Sequence, residues 1–129
     1  MIRYISTTAA PKPFSRYSQA VEVAAGSRLI VVSGQVGVGA DGTLPKTEQG
    51  QHEQAWRNVL AILKSQNLGP RDIVEVTAYV TSPAGVPIYR QVRDRMLAGA
   101  EPASTLLVIS GLAHPDWHVE IQVAAAAAA

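Results

Sequence analysis

The chain has 129 residues, of which 47% are hydrophobic and 16% charged, a formal net charge of +1 and no cysteine. That length fits a single folded domain, 1–129, with a sizeable core, and the charge gives nucleic-acid binding no electrostatic support. The missing cysteines exclude disulfides, thiolate metal sites and a cysteine nucleophile, and without an apolar run long enough for a bilayer the expectation is a soluble cytoplasmic protein with no membrane partner.

Ile2-Arg3-Tyr4-Ile5 reads as a first strand, and Pro11 and Pro13 then hold an extended connection. Tyr17 to Ala24 leads into a second strand, turned by Ala25-Gly26-Ser27 into Leu29-Ile30-Val31-Val32, an apolar run that suggests a central strand in a meander. The following Ser33-Gly34-Gln35-Val36-Gly37-Val38-Gly39 lacks the Lys-Ser/Thr and the adjoining helix of a phosphate loop. Its glycines are better explained by close backbone packing or turning. A first helix is expected from about Glu48 to Asn67, with Trp56, Val59, Leu60 and Leu63 as its apolar stripe and Leu68-Gly69-Pro70 as its stop. Ile73 to Val80 alternates as a strand, expected to run parallel to one before the first helix. A second helix from about Val86 to Ala98 buries Tyr89, Val92 and Met96, with Arg90, Arg93, Asp94 and Arg95 on its solvated side.

The chain closes on Pro102–Ile109 and His118–Val123, two β-branched runs joined by the turn-rich segment 110–117, which read as a hairpin with a long loop. The alanine run 124–129 extends the last strand and then frays. Along that strand Val119, Ile121 and Val123 share one face, and His118, Glu120 and Gln122 the other. Such a polar stripe is ordinary on a solvated sheet face. With a second chain packed over it, Glu120 would instead line a cleft and become available for proton transfer. The order β-β-β-α-β-α-β-β makes an α+β fold, a mixed sheet of about six strands with two helices on one face. The apolar content is too high to leave the other face wet, and a closed ring of identical subunits would bury it. A cleft between subunits is then the natural ligand site. His114, Asp116 and His118 straddle a loop and a strand, so no metal site is expected of them. No serine sits in a nucleophile elbow.

Ala10-Pro11, Tyr17-Ser18-Gln19-Ala20-Val21, Ser33-Gly34-Gln35, Gln54-Ala55 with Asn58, Pro102-Ala103 and Val119-Glu120-Ile121 stand in the order and spacing of the Rid family, also called YjgF or endoribonuclease L-PSP-like. The chain resembles that family over about residues 9–126. The resemblance implies a chorismate-mutase-like fold and a homotrimer with three inter-subunit clefts. It also implies hydrolysis of enamines or imines such as 2-aminoacrylate to keto acids and ammonia, without metal or cofactor. Carried over residue by residue, Tyr17 is the cleft tyrosine, Ser33 and Gly34 its wall, and Glu120 the carboxylate that positions water. The family deaminases read Pro-Ala-Arg-Ser where this chain has Pro102-Ala103-Ser104-Thr105, so Ser104 stands where their arginine clamps the substrate carboxylate. Val86 replaces an asparagine usual at the start of the second helix. Arg16, beside Tyr17, is either a displaced positive charge or a surface residue, and Trp117 either rims the cleft or packs its loop onto an interface.

Three functions compete on this reading. The first is an imine or enamine hydrolase that is not a typical 2-aminoacrylate deaminase. The second is a non-catalytic trimer binding a small molecule or partner protein in the same clefts. The third, a ribonuclease or translation inhibitor, has only the family's naming behind it.

Overall fold

Hydrophobic periods of 2 and 3.6 residues alternate along the chain, and each period switch marks an element boundary in the computed structural model, which describes residues 2–128. The elements are β1 (Ile2–Ile5), β2 (Ala20–Val23), β3 (Arg28–Val36), α1 (Glu48–Lys64), a 3-10 turn (Pro70–Asp72), β4 (Ile73–Val80), α2 (Gly85–Leu97), β5 (Ala103–Val108) and β6 (Val119–Ala127). Their order is the expected β-β-β-α-β-α-β-β, an α+β fold. The last strand continues into the alanine run as far as Ala127, while Ala129 lies outside the described residues.

Strand neighbours differ from the sequence expectation. The four-stranded sheet has the order β3-β6-β4-β5, and β1 pairs with β2 as a separate antiparallel ribbon. A single parallel bridge, Ser18 to Ala103, ties that ribbon's leading segment to the start of β5. The closing runs therefore form no hairpin: β4 lies between β5 and β6, parallel to the first and antiparallel to the second. Nor is β3 central or part of a meander. Among the described residues it pairs only with β6, at the sheet's edge, and leaves Leu29 64% and Val31 72% exposed. Because β6 is antiparallel to both, β3 and β4 do run in the same direction, with one strand between them.

Both helices cover one sheet face. Trp56, Val59 and Leu63 of α1 and Tyr89, Val92 and Leu97 of α2 form one core with Val76, Ala78, Val80, Val119, Ile121 and Val123. Each of the six strand residues is on the same side of the pleat, which is what period-two alternation requires. The Thr47 hydroxyl caps α1 by accepting from the Gly50 N–H at 3.0 Å. Its other end stops earlier than the Gly-Pro signal suggests. Asn67 takes the left-handed conformation (φ 60°), and the N–H groups of Asn67 and Leu68 donate to Lys64 and Leu63 carbonyls. That is a Schellman closure with asparagine where glycine is usual. In α2, Arg93 is not solvated: only 2% of it is exposed, beneath Tyr89.

His52 lies fully buried between the helices, its Nε2 3.3 Å from Glu48 Oε2 and its Nδ1 without a partner among the described residues. Burial pushes the imidazole below its ordinary value of 6.5, and the Glu48 carboxylate only partly offsets this. The unfolded chain therefore takes up a proton that the folded chain refuses, and stability falls as pH drops below about 6.5. A thermal melt at about pH 5 should show a lower Tm than one at about pH 7.5, and His52→Gln should flatten that part of the profile.

Candidate active site

Side chains of α1 lock the backbone on both sides of Glu120. Gln51, itself buried, donates from Nε2 to the Asp116 carbonyl at 3.0 Å and accepts from the His118 N–H at 2.9 Å, fixing the segment that enters β6. Asn58 Nδ2 donates to the carbonyls of Val36 (3.0 Å) and Val38 (2.8 Å), and Gln54 Nε2 holds Asn58 Oδ1 at 2.8 Å. These bonds give the carbonyls at the end of β3 and just beyond it a side-chain donor. The register of β3 on β6 shifts between Val32 and Gln35, so Ser33 and Gly34 form a bulge. A Cβ at position 34 would meet Glu120 Oε2 at 2.0 Å. The carboxylate thus rests directly on the Gly34 backbone, in a space only glycine leaves open. Ser33 beside it is exposed, its carbonyl accepting from Gln35 Nε2 at 3.1 Å.

Tyr17 is positioned by a different set of bonds. Gln19 Nε2 donates to the Thr7 and Pro11 carbonyls, and Gln19 Oε1 accepts from the Thr7 N–H at 2.6 Å, closing the segment between β1 and β2 on itself. The Ser18 N–H donates to the Pro102 carbonyl at 3.2 Å and draws that segment against β5. Tyr17, half-buried, accepts the Phe14 N–H at its Oη (3.2 Å). It lines a pocket of about 160 Å³ with Phe14, Ser15, Arg90, Arg93, Ser104 and Leu106. Arg93 Nη2 lies 2.9 Å from Asp94 Oδ1 and donates to Ser15 Oγ at 3.2 Å, and its guanidinium stands 5.7 Å from the Tyr89 ring centre. Burial holds the Tyr89 phenol far above its ordinary range, with Arg93 and the nearby Ser104 hydroxyl pulling the other way. Its hydroxyl forms no well-shaped hydrogen bond among the described residues and stays protonated.

One chain therefore gathers the expected residues into two groups. Ser104 pairs in register with Val76, on the helix side of the sheet, whereas Glu120 pairs with Tyr79, on the open side. Tyr17 and Ser104 share a pocket, as Glu120, Ser33 and Gly34 share the bulge, but the two groups are not brought together. Arg16 is exposed and does not line the Tyr17 pocket. Val86 packs against the hydrophobic core. Trp117 lines a separate depression with His114, His118 and Thr81, its ring centre 5.4 Å from that of His114. Among the described residues no group of three or more His, Asp or Glu is set to hold a metal ion. Sequence reasoning missed Arg90 and Arg93 as pocket residues. The signal was spacing: Tyr89, Val92, Arg93 and Met96 fall at i, i+3, i+4 and i+7, which puts Arg93 within the apolar stripe.

The family model described as "Endoribonuclease L-PSP" matches residues 7–127. A RutC family protein of Aquifex aeolicus is 41% identical over 81 residues, 62% of each chain. A 2-iminobutanoate/2-iminopropanoate deaminase of Mus musculus is 30% identical over 125 residues, 95% of this chain and 90% of that one. Among solved structures, a protein of unknown function of the conserved Rid family from Yersinia pestis superposes with a TM-score of 0.83 at 28% identity, covering 96% of this chain and 97% of the other.

The contact at position 34 is open to a direct check. Gly34→Ala should push the Glu120 carboxylate into another rotamer while β3 and β6 keep their register, because the obstructing atoms are the free end of a flexible side chain. A crystal structure of the variant should show the displaced carboxylate, and the stability loss should stay within about 1 kcal/mol.

Proposed function

Because this chain belongs to the endoribonuclease L-PSP family, which includes the Rid and YjgF proteins, we propose that it hydrolyses the C=N bond of a small imine, or of the enamine that tautomerises to it, in a cleft between identical subunits. The water oxygen bonds to the imine carbon, and the π electrons of the C=N bond move to the protonated nitrogen. Glu120 takes one water proton and passes it to the nitrogen of the resulting carbinolamine. The C–N bond then breaks with its electron pair going to nitrogen, and Glu120 takes the hydroxyl proton as the C=O bond forms. A keto compound and ammonia leave, the latter carrying that proton away as ammonium. Ser33 and Gly34 wall the carboxylate, and Tyr17 shapes or protonates the far side.

The observation that carries this reading is the Glu120 carboxylate resting on the Gly34 backbone. It enters none of the ion pairs formed among the described residues, so its acceptor oxygens remain available to a water. The homotrimer is part of the same proposal, and two features support it. Tyr17 and Ser104 open toward the helix side while Glu120 opens on the other, so a second copy is needed to complete one site. Leu29, Val31 and Leu107 are exposed apolar side chains on β3 and β5, and such surface is commonly covered by a partner.

Ser104 distinguishes the chain from arginine-bearing deaminases, because a hydroxyl offers one uncharged donor where a guanidinium offers a planar pair. Losing one partner of a desolvated charge pair costs about 2–5 kcal/mol, between one and nearly four powers of ten in binding. 2-Aminoacrylate, whose carboxylate adjoins the reacting carbon, is therefore not the preferred substrate unless another cation meets it.

With the wild type, ammonia release from imines generated in situ by an amino-acid oxidase should run faster than the uncatalysed hydrolysis of the same imines in buffer. In Glu120→Gln the increment over that background should fall about 100-fold or more, with Tm and oligomeric state unchanged. Release at the uncatalysed rate with both proteins would leave ligand binding, without hydrolysis, as the function of the cleft.

A further inference from the structure

Position 104 lacks the positive charge, but the pocket it lines does not. Arg90 and Arg93, one helical turn apart on α2, line the wall opposite Ser104. Their electrostatic roles differ. Arg93 is 2% exposed, and its guanidinium is committed to Asp94 and Ser15. Arg90 enters no ion pair among the described residues, and its Nε is buried without a hydrogen-bond partner. Asp94 supplies one negative charge against two guanidiniums, so the pocket wall carries a net positive charge. A buried donor left unpaired is costly, the more so on a charged group, and an anion entering from the open side would satisfy it. The remaining polar groups facing this space are neutral hydroxyls: Ser15, Ser104, Tyr17 and, behind them, Tyr89.

We propose that Arg90, placed by α2 across the pocket from β5, is the anion-recognition residue of this chain, and that the pocket between Arg90, Ser104 and Tyr17 takes the carboxylate of a small carboxylate-bearing ligand. The recognising charge has moved from the strand to the helix that packs on it, with Ser104 contributing a second, neutral donor. Arg93 acts as a positioning residue: its guanidinium, paired with its neighbour Asp94, donates to Ser15 Oγ and so keeps this part of α2 against the segment carrying Ser15 and Tyr17. This assignment rests on the reading of the cleft as a substrate site and adds to it that the substrate is anionic.

Butanoate and its neutral isostere butanamide separate charge from shape. Titrated into the wild type and followed by the side-chain Nε–Hε resonance of Arg90 in ¹H–¹⁵N NMR spectra, butanoate should shift that resonance saturably and butanamide should not. Arg90→Gln should weaken butanoate binding by about tenfold or more, Arg90→Lys should retain part of the affinity, and Arg16→Gln, outside the pocket, should leave it unchanged. Equal binding of butanamide, or an unchanged butanoate affinity in Arg90→Gln, would overturn the assignment. The readout involves no turnover: binding through Arg90 in a protein without hydrolytic activity would refute the hydrolase and keep the anion site. Hydrolysis with an unaltered KM for an anionic imine in Arg90→Gln would do the reverse.

Discussion

Alternation along three adjacent strands decides what each part of this molecule can meet. β5, β4 and β6 lie side by side in a fixed register, and successive side chains must point to opposite faces. Val76, Ala78 and Val80 are committed to the helices by their burial. That commitment sends Ser104 and Leu106 the same way through the β4–β5 pairing, and sends Glu120 and Gln122 the other way through the β4–β6 pairing. A slip of one residue would exchange the faces and put a carboxylate into the core, which is why the register is strongly specified. The core and the division of the polar residues are thus one constraint.

Polar side chains then do what strand pairing cannot. Gln51 and Asn58 of α1, and Gln19 on the segment leading into β2, each hold two backbone positions outside a ladder or at its end. Side-chain amides suit this task because they offer both donors and an acceptor at one end of a short stem. The segments they hold are those that carry Tyr17, the bulge of β3 and the entry to Glu120. Loops bearing functional groups are ordinarily the mobile part of a fold, and here each is tied to a buried or half-buried amide.

Much of this was legible in the sequence. Element number, kind and order follow from hydrophobic periods, and β4 was read with the boundaries it has because Ile73 to Val80 alternates without interruption. Strand order was not legible. Local reasoning joins neighbours in sequence, so the runs on either side of residues 110–117 looked like a hairpin, whereas β4, entered through α1 and left through α2, lies between them. The same reasoning made β3 central on the strength of its apolar run, although Leu29 and Val31 face outward from an edge. At Arg93 two signals conflicted: its spacing from Tyr89 said buried and its charge said solvated. Asp94 and Ser15 resolve the conflict by supplying partners that no one-dimensional pattern displays. Gly34 was readable as a place where something approaches closely, but not as a seat for Glu120.

That seat has an evolutionary consequence. Any side chain at position 34 evicts the carboxylate, and a carboxylate drawn elsewhere removes the reason for a glycine in the middle of a strand, where that residue weakens pairing. Neither position is free to drift alone. Descendants of this chain would be expected to retain both residues or to abandon both, and a lineage that released one would record, in the other, the loss of whatever the acid was retained to do.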